Sequence, residues 1–220
     1  VDAENCQVAT TLAEAAAAAV SIAGGKPIAA TAEPTPDLKL SFAESQKYIR
    51  GLYSGGTFCY EAQLLLGAAV GDVRSSTPVD KKLALDDPWQ SKGHTVIDLG
   101  DDEFTRGRPH PMIDHRLRNE RLLQEANDPE TAVILFDVVL GYGSHMDPVA
   151  EMKASIQAAT AAANEGGRTL ALVGFVCGTD MDPQSLSRQQ EALRKAGVCV
   201  ARHNAEAVAW AAEIAQGRKV

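Results

Sequence analysis

A three-layer α/β sandwich of the flavodoxin-like kind, in which helices cover both faces of a parallel sheet, is the fold this sequence predicts. Two observations predict it. Between residues 48 and 215, five strand-like apolar runs alternate strictly with five helical stretches. Two of the runs, Val133-Ile134-Leu135-Phe136 and Leu170-Ala171-Leu172-Val173, are apolar at every position, as strands buried on both faces of a parallel sheet must be.

The elements follow in chain order. Residues 8–23 are dominated by alanine and leucine, strong helix formers, and Gly24-Gly25 stops the run. The segment KPIAATAEPTPDLK (26–39) reads as an extended linker, because proline fixes φ and donates no hydrogen bond. A domain boundary is therefore expected near Leu40, with residues 1–40 as a helix plus linker and 41–220 as the folded domain. Strands are expected at 48–53, 95–99, 132–140, 170–176 and 198–202, and helices at 58–69, 114–126, 148–163, 183–196 and 205–215. Pro183 suits the first position of its helix, with Asp182 as the cap.

Bulk properties narrow the function classes. At 220 residues, with 45% hydrophobic and 23% charged, the composition is that of a globular protein. A formal net charge of -8 argues against nucleic-acid binding. Cys6, Cys59, Cys177 and Cys199 show neither CxxC pairing nor zinc spacing, so reduced cytoplasmic thiols are expected, with no disulfide framework and no metal. Leu12 to Gly24 lacks a basic front end and is too short to span a bilayer, so neither a signal peptide nor a membrane anchor is expected. The start at Val1-Asp2, without methionine, reads as a piece of a longer polypeptide.

In open parallel sheets ligands sit beyond the carboxyl ends of the strands, and four loops there carry the candidate chemistry. Ser54-Gly55-Gly56-Thr57 joins a strand to a helix with bare backbone, a pattern suited to receiving phosphate or carboxylate on the helix amino terminus. The alternative is a tight turn with Thr57 as helix cap. Cys59, in the first helical turn, and Cys199, in a strand, read as small buried hydrophobes. Residues 100–114 are expected to form a long functional loop, in which Arg106 and Arg108 would neutralise an anion and His110, held between two prolines, would handle a proton. His145 in GYGSHMDP is a second candidate for that role, on a loop with Tyr142 and Gly143. Cys177, Gly178, Thr179 and Asp180 make the fourth loop.

The order of these loops resembles the CoA-ligase domain of the succinyl-CoA synthetase α subunit and, more closely, the related FdrA family. YSGGTFCYEA is similar to a synthetase segment of the form S-x-S-G-T-L-x-Y-E-A, while GRPHPMID, LGYGSHMDP and ALVGFVCGTDMDPQ look like FdrA versions of later loops; the resemblance spans about residues 47–217. It implies that Ser54, Gly56 and Thr57 inherit the helix terminus that faces the phosphate of a phosphohistidine. The synthetase histidine belongs to a Gly-His-Ala-Gly segment, whereas the corresponding TDMDPQSLSRQQEALRKAG holds no histidine, and Tyr142 stands where its glutamate partner is expected. The resemblance thus implies anion stabilisation without that covalent intermediate. The implied activity is carbamoyl transfer between carbamoyl phosphate and oxamate in ureide breakdown, needing no cofactor. An ADP-forming acyl-CoA ligase using CoA and ATP is one alternative, and a non-catalytic assembly domain is another. The implied partners are a small anionic substrate and the remaining domains or subunits of an FdrA-like assembly.

Overall fold

The computed structural model describes residues 6–27, 33–38 and 40–217, so residues 28–32 and 39 of the expected linker, like Val1-Asp2, lie outside the described residues. Strands β1 (Tyr48–Tyr53), β2 (Val73–Ser75), β3 (His94–Asp98), β4 (Thr131–Val139), β5 (Ala171–Cys177) and β6 (Cys199–Ala201) form one sheet, all parallel, in the order β2-β3-β1-β4-β5-β6. Without the edge strand β2, the five expected strands stand in the flavodoxin-like order. The three-layer α/β architecture is as the alternation predicts. Eight of the nine residues of β4 are buried, as a central parallel strand requires.

The helices are α1 (Leu12–Ile22), α2 (Gly56–Val70), α3 (Asp102–Thr105), α4 (Arg116–Asn127), α5 (Pro148–Glu165), α6 (Leu186–Lys195) and α7 (Asn204–Ala215). One core lies between the sheet and α2 and α7, around Ile49, Leu66, Val133, Val173 and Trp210. The other lies under α4, α5 and α6, around Leu52, Leu122, Phe136, Met152 and Leu193. Glycine loops after β1 and acidic loops after β3, β4 and β5 therefore share the carboxyl edge.

Four local expectations are corrected. Strand β2 was not expected: three residues are too few to show a period, and it exists through its pairing with β3, Val73 to His94 and Ser75 to Val96. The 100–114 loop is not structureless, because Asp101 accepts a 3.0 Å hydrogen bond from the Glu103 amide and caps α3, which buried Phe104 anchors. Thr57 does not cap α2; Gly55 stands at the cap with extended backbone and without a side-chain hydrogen bond. Helix α6 begins at Leu186 rather than Pro183, since Asp182 is spent on the Thr179 amide at 2.6 Å and Ser185 caps the helix instead.

Helix α1 is closed at its start by a reciprocal capping box between Thr11 and Glu14 and buries none of its residues. Its Leu12 amide donates to Glu61 Oε1 of α2 at 2.7 Å. Among the described residues no helix is long and apolar enough to cross a membrane.

Candidate functional site

The junction of β1 with α2 is held from below by buried charge. Asp137, fully buried near the end of β4, accepts from the Ser54 amide at 2.9 Å, from the Ser54 hydroxyl at 2.7 Å and from Arg118 Nη2 at 2.8 Å. Arg118, also fully buried, donates from Nη1 to the Asp137 carbonyl oxygen as well. Ser54 is thereby committed to positioning the turn, and its amide and hydroxyl face inward. The bare amides of the first turn of α2 follow it. At Gly55 a β-carbon would meet nothing within 4 Å, whereas at Gly56 it would sit 3.2 Å from Asp98 Oδ2 and 3.3 Å from the Tyr60 ring.

Asp98 ends β3 beside this turn. Its Oδ1 accepts the Gly100 amide at 2.9 Å. Burial, reinforced by the negative charges of Asp101 and Asp137, pushes its carboxyl above the ordinary carboxylate range. His110 joins it. A β-carbon on Gly100 would lie 2.6 Å from both His110 Nε2 and the Ser54 carbonyl oxygen, so the imidazole edge stands at the glycine turn. His110 Nδ1 accepts the Met112 amide at 3.3 Å, which leaves Nε2 to carry the proton in the neutral ring. Gly100→Ala is expected to push the imidazole away from the turn and to cost about 1–3 kcal/mol through overpacking. Denaturant unfolding, with the His110 ring resonances followed by NMR, measures both effects.

His145 stands on the neighbouring loop. Its amide donates to the Met112 carbonyl at 2.8 Å, and its Nδ1 accepts the Asp147 amide at 3.1 Å. Its ring meets that of His115 edge-on, with centroids 5.7 Å apart. His115 is 2% exposed and neither ring nitrogen has a hydrogen-bond partner among the described residues. Burial, helped by the Arg118 charge, lowers its pKa to about 3.

The other expected residues are spread over the edge. Arg106 and Arg108 are exposed; Arg108 lies over the Trp89 ring at 5.6 Å and lines a surface cleft of about 240 Å³ with Asp114, Arg116 and Glu120, in which the glycine turn takes no part. Tyr142 is 89% exposed and Gly143 is exposed too. Asp180 accepts from the Ser185 hydroxyl and from the amide and hydroxyl of Ser187, and Thr179 shares Asp182, so both shape the entry to α6. Cys177 and Gly178 line a second cleft, of about 260 Å³, together with Phe58 of α2. Cys59 is buried, and burial pushes its thiol up to about 12, which makes it the small inert hydrophobe expected. The structure thus brings Ser54, Gly55, Gly56 and Thr57 together with His110.

Sequence reasoning missed Asp98, Asp137, Arg118 and His115. Asp98 ends an apolar strand and Asp137 stands two residues before the end of another, and a lone acidic residue late in an apolar strand is a usable signal. Arg118 and His115 read as ordinary members of a polar helix start, and only burial singles them out.

A parallel sheet, a glycine turn opening a helix at its carboxyl edge and a buried carboxylate beneath that turn form one continuous unit, and residues 52–214 match the CoA-ligase family. The chain belongs to the CoA-ligase family. A stretch of 206 residues is also 43% identical to the uncharacterized protein YahF of Escherichia coli strain K12, covering 91% of this chain and 40% of that protein. The chain thus spans about 40% of the length of that relative. The part of this CoA-ligase chain matched by the family runs from the end of β1 into α7, so it contains the glycine turn, both aspartates and all the histidines named above.

Proposed function

We propose that this CoA-ligase domain binds the anionic group of an acyl donor on the amino terminus of α2 and positions it for acyl transfer. One observation carries the reading: the amides of Gly56 to Phe58 open α2 without a side-chain cap, at a turn that has free space at Gly55 and is fixed by the Asp137–Arg118 pair. Such amides, with the helix dipole behind them, favour a phosphate or carboxylate. Preorganised donors of this kind stabilise charge as it develops on a leaving phosphate oxygen. In the step proposed, the bond from acyl carbon to phosphate oxygen breaks and the phosphate keeps the electron pair. The incoming nucleophile bonds to the acyl carbon and its proton passes to the departing phosphate, while His110 Nε2–H is a donor toward oxygen at the turn.

Asp98 sets the pH dependence. Its raised carboxyl holds a proton to higher pH than a free aspartate, and charging it places a negative group beside Gly56. Phosphate affinity is therefore expected to fall as the pH rises through the raised Asp98 pKa, and Asp98→Asn should flatten that fall. Isothermal titration of the chain with inorganic phosphate and acetyl phosphate tests the site directly. Gly56→Val is expected to weaken both at least tenfold; unchanged affinity in that variant overturns the reading.

A second reading has its own observation. The loop after β5 and helix α6 carry no histidine, so direct transfer without a phosphohistidine suits this chain, as does the FdrA resemblance. Carbamoyl phosphate would then be the donor and oxamate the acceptor. Carbamoyl-oxamate formation by the complete assembly supports this, and ATP-dependent thioester formation on CoA supports the ligase. Neither product, with no phosphate bound, leaves an assembly domain.

A further inference from the structure

The cleft of about 260 Å³ that Cys177 and Gly178 border lies between α1, α2 and α7, beyond the ends of β5 and β6. Its walls are largely apolar. Phe58 and Phe175 meet edge-on at 4.9 Å, Val176 continues the wall, and Ala13 and Ala16 of α1 close the outer side. Phe58 belongs to two features at once: its amide lies in the open first turn of α2, and its ring lines the cleft.

The charged groups around the cleft are already engaged. Glu61, 8% exposed, accepts the Leu12 amide on Oε1 and Asn204 Nδ2 on Oε2, each at 2.7 Å. Arg202 is held by Glu206 and Glu33. His203 Nδ1 accepts the Glu206 amide at 3.2 Å, so the neutral ring carries its proton on Nε2, which is buried and has no acceptor among the described residues. A wall of this kind suits hydrocarbon, and it penalises a second carboxylate, which would be desolvated beside Glu61.

We infer that this cleft receives the apolar chain of a monocarboxylic acyl group whose carboxyl or acyl-phosphate end sits at the first turn of α2. The inference rests on the anion-binding reading of that turn and adds the substrate class. The volume sets the length. At roughly 30 Å³ per water-sized group the cleft holds about eight or nine non-hydrogen atoms, which corresponds to a carboxylate of about six carbons. It is smaller than the roughly 300–1,000 Å³ of pockets for larger ligands.

Isothermal titration of the chain with acetate, butyrate, hexanoate, decanoate and succinate tests the proposal. Affinity is expected to rise about fourfold per methylene from acetate to hexanoate, to stop rising at decanoate and to be at least tenfold weaker for succinate than for hexanoate. Ala13→Trp and Ala16→Trp fill the cleft from α1, a helix that buries none of its residues. Each is expected to weaken hexanoate at least tenfold while phosphate binds as before. Hexanoate should also slow iodoacetamide labelling of Cys177, followed by peptide mass spectrometry, without protecting exposed Cys6. Equal affinity for acetate and hexanoate, or full hexanoate binding in both tryptophan variants, overturns the inference. Phosphate binding that survives this result leaves the α2 reading standing. Chain-length-dependent binding without phosphate binding keeps the cleft and overturns the assignment of the carboxyl end.

Discussion

Arg118→Met is expected to lower the unfolding free energy of the chain by about 3–5 kcal/mol, the cost of stranding a buried charge. Asp137 and Arg118 are both fully buried, and the 2.8 Å pair between them is the only ion pair recorded for Asp137 among the described residues. Without the guanidinium, Asp137 keeps two hydrogen bonds from Ser54 and no compensating cation, so its carboxylate must take up a proton or draw in water. The double variant Arg118→Met with Asp137→Leu removes both charges and should recover much of the stability. It should not recover the anion site, because Ser54 then loses the acceptor that fixes its amide and hydroxyl. Urea unfolding of the three proteins, with phosphate titration of those that fold, separates the two consequences. A loss below 1 kcal/mol in the single variant would mean that the pair is not what orients the turn.

The second large effect is acid sensitivity from His115. Burial lowers its pKa from the ordinary 6.5 to about 3, so charging the ring in place carries a penalty on the order of 5 kcal/mol. Between those two values the unfolded chain binds a proton that the folded chain refuses. Stability from this group is therefore fully present above pH 6.5 and is lost as the pH falls toward 3. His115→Leu is close in volume and removes two unpartnered ring nitrogens. It should match or exceed the wild type in urea midpoint at pH 7.5, and its advantage should widen steadily down to pH 4.5. His94 and His203 are also held low by burial and contribute in the same direction. The difference between variant and wild type isolates His115. Parallel pH profiles for the two proteins would refute the assignment.

Much of the fold was legible because its signals are local. The unbroken apolar runs at 133–136 and 170–173 predict central strands, which β4 and β5 are. The alanine-rich stretch before Gly24-Gly25 predicts a helix, and α1 ends at Ile22. The errors fell where a local signal was outbid. Asp182 and Pro183 form a good helix start on their own, but the amide of Thr179 takes the Asp182 carboxylate first. β2 is three residues long and its existence is a property of β3. At the site, the glycines and His110 were visible as unusual loop residues. Their distance from Arg108 was not, because a side chain that rests on Trp89 gives no sign of it in the sequence.

The sequence by itself determined the class of fold, the order of elements and the place where a helix would start with bare amides, since backbone propensity, apolar period and glycine all act over a few residues. Only the tertiary structure decided that Ser54 faces inward to Asp137, that His110 reaches the glycine turn, that His115 is sealed without a partner and that Phe58 opens onto a cleft under α1. The physical reason is that these depend on burial and on pairs 19 to 83 residues apart, such as Arg118 with Asp137 and Ser54 with Asp137. Packing sets such distances, and no short stretch of chain encodes them.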